Sequence, residues 1–143
     1  MRRGFTLIEL LVVIAIIGVL AGIVLVSLSG ARNKAKDARI QADLTQVRSI
    51  AELIYDESSP NSYASLCTTG NRISTSSATY GPQLNTIVND IYTQGGEYPV
   101  CYATSTNYCV SAKLASGGYV CIGSAGQMKT NLTSHCTSPT SCD

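Results

Sequence analysis

The chain opens with its longest apolar pattern. From Phe5 to Leu28 the run is almost unbroken, and Glu9 is its one formal charge. Leu10 to Leu28 gives 19 uncharged residues, close to the roughly 20 that cross a bilayer as a helix. Beyond Leu28 the residues turn polar, but no helix-breaking signal occurs before Ser58-Ser59-Pro60, and Gly30 is the one weak point. Ile40, Leu44, Val47, Ala51 and Ile54 recur at spacings of 4, 3, 4 and 3. That is one amphipathic helical face. The pattern predicts a single helix from Phe5 to about Glu57, about 80 Å long at 1.5 Å per residue, whose second half buries one face against the rest of the chain.

Residues 58–80 form a Ser/Thr/Asn-rich connection containing Cys67. Gly81-Pro82 then opens a short helix with Leu84, Ile87, Val88 and Ile91 on one face, and Gly95-Gly96 closes it. Proline suits a first helical position and glycine a stop. Three strands are predicted, Glu97 to Thr104, Tyr108 to Leu114 and Gly118 to Gly123, separated by short turns. In the middle strand Tyr108, Val110, Ala112 and Leu114 share a face that can lie on the amphipathic helix. Residues 124–143 show little periodicity. The fold class expected is α+β: a long amino-terminal helix, apolar then amphipathic, packed on a small antiparallel sheet head with a disulfide-stapled carboxy-terminal region.

Cysteine usage sets the compartment. Cys67, Cys101, Cys109, Cys121, Cys136 and Cys142 all follow residue 60. An even number in a small domain behind an apolar segment reads as a disulfide framework in an oxidising space. With no C-x-x-C and one histidine, His135, no metal site is expected. A Cys136–Cys142 bridge would tie down the tail. Strand parity puts Cys109 and Cys121 on opposite faces, which disfavours pairing them, although a one-residue register slip reverses this. The other pairings stay open.

Charge alters the picture little. The net charge of +1 over 143 residues argues against binding through bulk charge. The helix's second half sorts its charges, with Arg32, Lys34, Lys36 and Arg39 early and Asp43, Glu52, Asp56 and Glu57 late. Pairs one turn apart, Arg39–Asp43 and Arg48–Glu52, are expected. The sorting would also suit staggered neighbouring copies. Lysine and arginine are commoner after the apolar run than before it, which alone would put the amino terminus outside. The cysteines require the head outside and outweigh that count.

No catalytic constellation is evident: there is no Gly-x-Ser-x-Gly, no Walker loop, and the lone His135 lies in the aperiodic tail. The protein is read as a non-enzyme that needs no cofactor. Seven of eight tyrosines follow residue 60. Tyrosines are most often core residues, but an exposed set would suit a surface ligand or single-stranded DNA. Asn131-Leu132-Thr133 forms a glycosylation sequon, a motif common by chance.

Glu9 is the most informative residue. A carboxylate in hydrocarbon costs several kcal/mol unless paired, and so marks a functional site. Here Arg2-Arg3-Gly4-Phe5-Thr6-Leu7-Ile8-Glu9, followed by the apolar run to about Gly22, resembles the leader and first helix of type IV pilins and type II secretion pseudopilins. The resemblance implies cleavage between Gly4 and Phe5 by a prepilin peptidase, and N-methylation of Phe5. It implies that residues 1–4 are a leader that is removed, that 5–28 form the membrane and filament-core half of the helix, that 29–57 form its amphipathic half, and that 58–143 form an extracellular head. Glu9 would pair with the terminal amine of a neighbouring subunit, finding its partner only on assembly. Gly18 and Gly22 would let the helix melt locally in the filament. Val26 stands where many members carry proline, a departure that counts against melting.

The function implied is that of a structural subunit of a type IV pilus-like filament. It would be held in the inner membrane as a precursor, then extruded to the cell surface by assembly machinery with an ATPase motor, with copies of itself as its main partners. Adhesion, motility or DNA uptake would be its outputs. The alternatives are a minor pilin or secretion pseudopilin, or a membrane-anchored extracellular binding domain that never polymerises.

Overall fold

The structure, a computed structural model, describes residues 5–142. The expected cleavage point after Gly4, the Arg2-Arg3 pair and Asp143 lie outside those residues. In chain order the elements are α1 (Leu7–Glu57), a short 3-10 turn (Ala64–Leu66), α2 (Gly81–Gly95), β1 (Val100–Ala103), β2 (Tyr108–Lys113), β3 (Tyr119–Gly123) and β4 (Met128–Leu132). The chain divides into two compact units, Met1–Asn33 and Lys34–Asp143.

In the first unit α1 contributes a continuous helix whose described side chains are exposed throughout. It is long and apolar enough to cross a membrane.

In the second unit the remainder of α1 supplies one wall of the core. Ile40, Leu44, Val47 and Ala51 are fully buried, and Ile50 and Ile54 nearly so. This is the face read from the spacing. The helix ends where Ser58 turns back on it, its N–H and Oγ both donating to the Ile54 carbonyl. The connection from 58 to 80 is bolted down by the Cys67–Cys101 disulfide and a bridge between Cys67 and Ile73. α2 stops at Gly96, which takes φ 78° and returns its N–H to Tyr92 O at 2.8 Å. Gly95 lets α2 approach β2: a Cβ there would collide with the Lys113 carbonyl.

The sheet is an antiparallel meander in the order β1-β2-β3-β4. Val110 faces both Cys101 and Ile122, and Ala112 faces Val120. With Tyr108 and Leu114 these close the core with α1, as the parity of β2 predicts. The opposite face is covered too. Cys109, Cys121, Cys136 and Cys142 cluster there with Tyr102 and Leu132, so β2 is buried on both sides.

Several sequence expectations are corrected here. β4 was not expected, and it falls within residues described as aperiodic. As the last strand of the meander it pairs with β3 alone through an irregular register between Tyr119 and Cys121. Edge strands of this kind need no strict alternation. Cys136 and Cys142 do not pair with each other. The bridges are Cys109–Cys136 and Cys121–Cys142, so the tail is stapled twice to the sheet rather than looped on itself. Cys109 and Cys121 share a face, because Cys121 stands opposite Ser111, two residues from Cys109.

The expected pairs Arg39–Asp43 and Arg48–Glu52 do not form. Arg39 bridges to Asp90 of α2 at 2.5 Å, and Arg48 donates to Gly126 O at 2.8 Å. Glu52 accepts from Tyr63 and Glu57 from Tyr80. Glu52 and Glu57 thus serve the fold of this unit, while Asp56, Arg32, Lys34 and Lys36 stay exposed. Asp37 has a structural task of its own: it accepts from the Ser116 N–H at 3.2 Å and from the Ser116 hydroxyl. That fastens α1 to the turn between β2 and β3.

Candidate functional site

The site begins at the start of α1. Thr6 precedes the first helical residue and Glu9 is the third. The Thr6 N–H and hydroxyl each donate to Glu9 Oε2 at 2.8 Å, and the Glu9 N–H donates to Thr6 Oγ1 at 3.3 Å. This is a reciprocal capping box, which satisfies helix-start donors that would otherwise lack acceptors. It also places a carboxylate where the helix dipole favours one. Glu9 thus has a hydrogen-bonding partner within its own chain, besides the neighbouring subunit's amine expected from the resemblance. The signal was in the sequence, as Thr-x-x-Glu ahead of an apolar run.

From Leu7 to Val24 the helix surface is exposed in the monomer. Phe5 is 83 % exposed, and Leu7, Ile8, Leu11, Ile17 and Leu20 all remain more than half exposed. Gly18 and Gly22 lie inside the helix, and a Cβ added at either would meet nothing. These glycines are not demanded by packing within the chain. What such a surface can do is enter hydrocarbon or pack against other helices, since burial of apolar area stabilises by about 25 cal/mol per Å2.

The head offers a constellation that resembles catalytic machinery. Ser111 Oγ lies 3.1 Å from His135 Nδ1, and His135 Nε2 lies 3.4 Å from Glu97 Oε2. Ser111 is fully buried, however, and its Oγ accepts from the Cys136 N–H at 2.9 Å. A hydroxyl sealed under the tail cannot reach a substrate, so this chain of contacts ties the tail to the sheet. Lys113 draws Glu97 into the same network at 2.5 Å, and its ammonium holds the Glu97 carboxyl below the ordinary range, helped by His135. Sulfurs of Cys109, Cys121 and Cys136 lie within 4.8 Å of one another. All three belong to disulfides, whose sulfurs are not the thiolates a metal needs.

A second buried acid sits where α1 meets α2. Asp43 is 6 % exposed, and its Oδ2 is without a hydrogen-bond partner. Burial, then hydrogen bonding to and repulsion by Asp90, push the Asp43 carboxyl up to about 6, against the pull of Arg39. Burial also pushes Asp90 up, but hydrogen bonds from Arg39, Asp43 and Gln94 outweigh it and hold that carboxyl below its usual value.

An exposed apolar helix with a capped acid at its start, in one chain with a disulfide-stapled α+β head, fits the class of membrane-anchored subunits. Comparison with known proteins narrows this class. Residues 1–25 match the prokaryotic N-terminal methylation motif. Across 98 % of its length the chain is 30 % identical to the type IV wide pilus major component PilA4 of Thermus thermophilus, covering 96 % of that protein. Over 52 residues it is 40 % identical to the type II secretion system core protein G of Klebsiella pneumoniae and of Escherichia coli K12, about 36–37 % of those chains. No solved structure matches it. The chain belongs to the family of type IV pilins and type II secretion pseudopilins. It is a structural subunit of a type IV pilus or a type II secretion pseudopilus, made as a membrane-anchored precursor and destined for an extracellular filament.

Proposed function

We propose that this protein is a main structural subunit of a type IV pilus, polymerising through α1. The observation that carries this reading is the likeness to a pilus major component over nearly the whole of both chains, whereas the likeness to the secretion proteins stops after about 52 residues. In this reading residues 1–4 are removed, cleavage falls between Gly4 and Phe5, and Phe5 is methylated. Residues 5–28 serve first as membrane anchor and then as filament core, 29–57 join core to head, and 58–143 coat the outside. A prepilin peptidase and an ATPase-driven inner-membrane machine process and extrude the subunit. It acts as a building block rather than an enzyme.

Glu9 has two roles here. Its Oε2 caps the helix through Thr6. Its charge meets the new Phe5 amine of a neighbouring copy as that copy enters the fibre. N-methylation leaves that amine cationic at neutral pH, so the pair survives processing. A carboxylate in an apolar core is costly alone and tolerable when paired, which makes Glu9 a check on register. Gly18 and Gly22, free of packing demands in the monomer, give the helix two weak points, each about 1 kcal/mol less favourable than alanine.

Glu9→Ala tests the reading. A polymerising subunit carrying it stays in the membrane but is missing from fibres sheared off the cell. A non-polymerising anchor would tolerate the change, and a low-copy minor pilin or pseudopilin would be scarce in sheared fibres even before substitution.

A further inference from the structure

The head carries one exposed aromatic ledge. Tyr92, near the end of α2, and Tyr98, in the connection to β1, stack with ring centroids 4.4 Å apart and planes 20° from parallel. They are 44 % and 40 % exposed. The Arg72 guanidinium sits over the Tyr98 ring, 4.7 Å from its centroid. The plain reading is that these contacts merely fasten the 67–80 connection to α2. Three further observations go beyond that.

The ledge is preorganised. The Arg72 carbonyl accepts from the Thr68 N–H at 2.7 Å, the Asn71 carbonyl accepts from the Cys101 N–H at 2.9 Å, and the Cys67–Cys101 disulfide closes the frame. Asn71 takes φ 56°, a left-handed conformation that asparagine accepts more readily than most residues, and its amide donates to the Tyr102 hydroxyl at 3.0 Å. Finally, two hollows of about 210 and 350 Å3 meet at Arg72, Tyr98 and Pro99. Asn85 and Asn89 line them on one side and Asn71, Tyr102 and His135 on the other, no carboxylate does, and Tyr92 stands outside both.

We propose that this ledge is a carbohydrate-binding site for an oligosaccharide bearing a carboxylate. The exposed Tyr92 ring, backed by Tyr98, offers a flat, amphipathic face suited to the C–H face of a pyranose. Arg72 supplies a permanent cation, placed to receive the sugar's acid as a charge-assisted pair. The asparagine amides supply donors and acceptors for hydroxyl and acetamido groups. A phosphodiester polymer fits less well. One guanidinium neutralises little of it, and from Lys34 onward eight Asp/Glu outnumber seven Lys/Arg. The proposal goes beyond the filament reading and does not depend on polymerisation.

The test uses the full chain in detergent micelles and three probes: tetragalacturonate, a hyaluronan tetrasaccharide and 3′-sialyllactose. Saturation-transfer NMR is expected to show ring protons of at least one probe receiving magnetisation. Arg72→Gln and Tyr92→Ala should each weaken that binding about tenfold, while Leu53→Ala, at an exposed position on α1, leaves it unchanged. No transfer to any probe, or binding indifferent to both ledge variants, overturns the proposal. Equal binding of neutral chitotetraose overturns the role given to Arg72. Binding of octathymidylate lost in the same variants overturns it in favour of single-stranded nucleic acid.

Discussion

The Glu9 carboxylate is held by Thr6, three residues before it, through two hydrogen bonds of 2.8 Å. The acid for which a role in assembly is proposed is therefore also the residue that caps the start of the helix. Capping groups of this kind contribute about 1 kcal/mol. Thr6→Val in the full chain in detergent should speed hydrogen exchange of the Glu9 amide, which donates to Thr6 Oγ1, about fivefold and leave the head untouched. Unchanged exchange at that amide would mean that the box does not form.

Asp37 joins α1 to the β2–β3 turn through Ser116. Asp37 is buried, and Asp37→Ala, which removes the acceptor for two donors, should cost about 1.5–3 kcal/mol, the usual contribution of a hydrogen bond to a charged group. Asp56→Ala, exposed on the same helix, should stay within about 0.5 kcal/mol. Thermal unfolding of the two variants side by side distinguishes them, and equal midpoints would contradict the assignment.

Asp43 gives the head a pH dependence of known sign. Its carboxyl is raised to about 6 in the fold, against about 3.9 when unfolded. The folded state thus holds the proton more tightly, and this group's contribution is fully present below about pH 4 and lost as pH rises through 6. Asp90 and Glu97, held below their ordinary values, contribute in the opposite sense, so the readout is a difference. Between pH 4 and 6.5 the unfolding midpoint of wild type should fall relative to that of Asp43→Asn. Parallel curves would rule this out.

The double staple of the tail should matter more than any single side chain. The Cys109–Cys136 bridge spans 27 residues, and losing a bridge of that size typically costs 2–4 kcal/mol. Cys109→Ser/Cys136→Ser should lower the denaturation midpoint accordingly and open residues 133–141 to hydrogen exchange. A loss below about 0.5 kcal/mol would show that the Cys121–Cys142 bridge and the buried Ser111–Cys136 contact hold the tail without it.

The helices and three of the four strands were legible because their periods were clean. Ile40 to Ile54 and Tyr108 to Leu114 declare their buried faces, and Pro82 and Gly96 declare the ends of α2. β4 was not legible, because an edge strand with an irregular register needs no alternation, and Thr130 and Asn131 are both exposed. Disulfide pairing was not legible because it depends on strand register. One partner position, Ser111 opposite Cys121, reverses the parity argument. The charged residues misled for a related reason: i,i+4 spacing makes Arg39–Asp43 available, but Asp90 on a neighbouring helix supplies a better-placed partner. At the functional helix, Glu9 stood out by its cost in hydrocarbon, while Thr6 was hidden by being ordinary.

The central claim, that the chain is processed and enters a pilus, is tested most directly by the mass of its amino-terminal peptide from fibres sheared off cells. The account predicts a peptide that begins at Phe5 and carries one extra methyl group on its amine. A peptide that begins at Met1, or no trace of the protein in the sheared fraction, would contradict it.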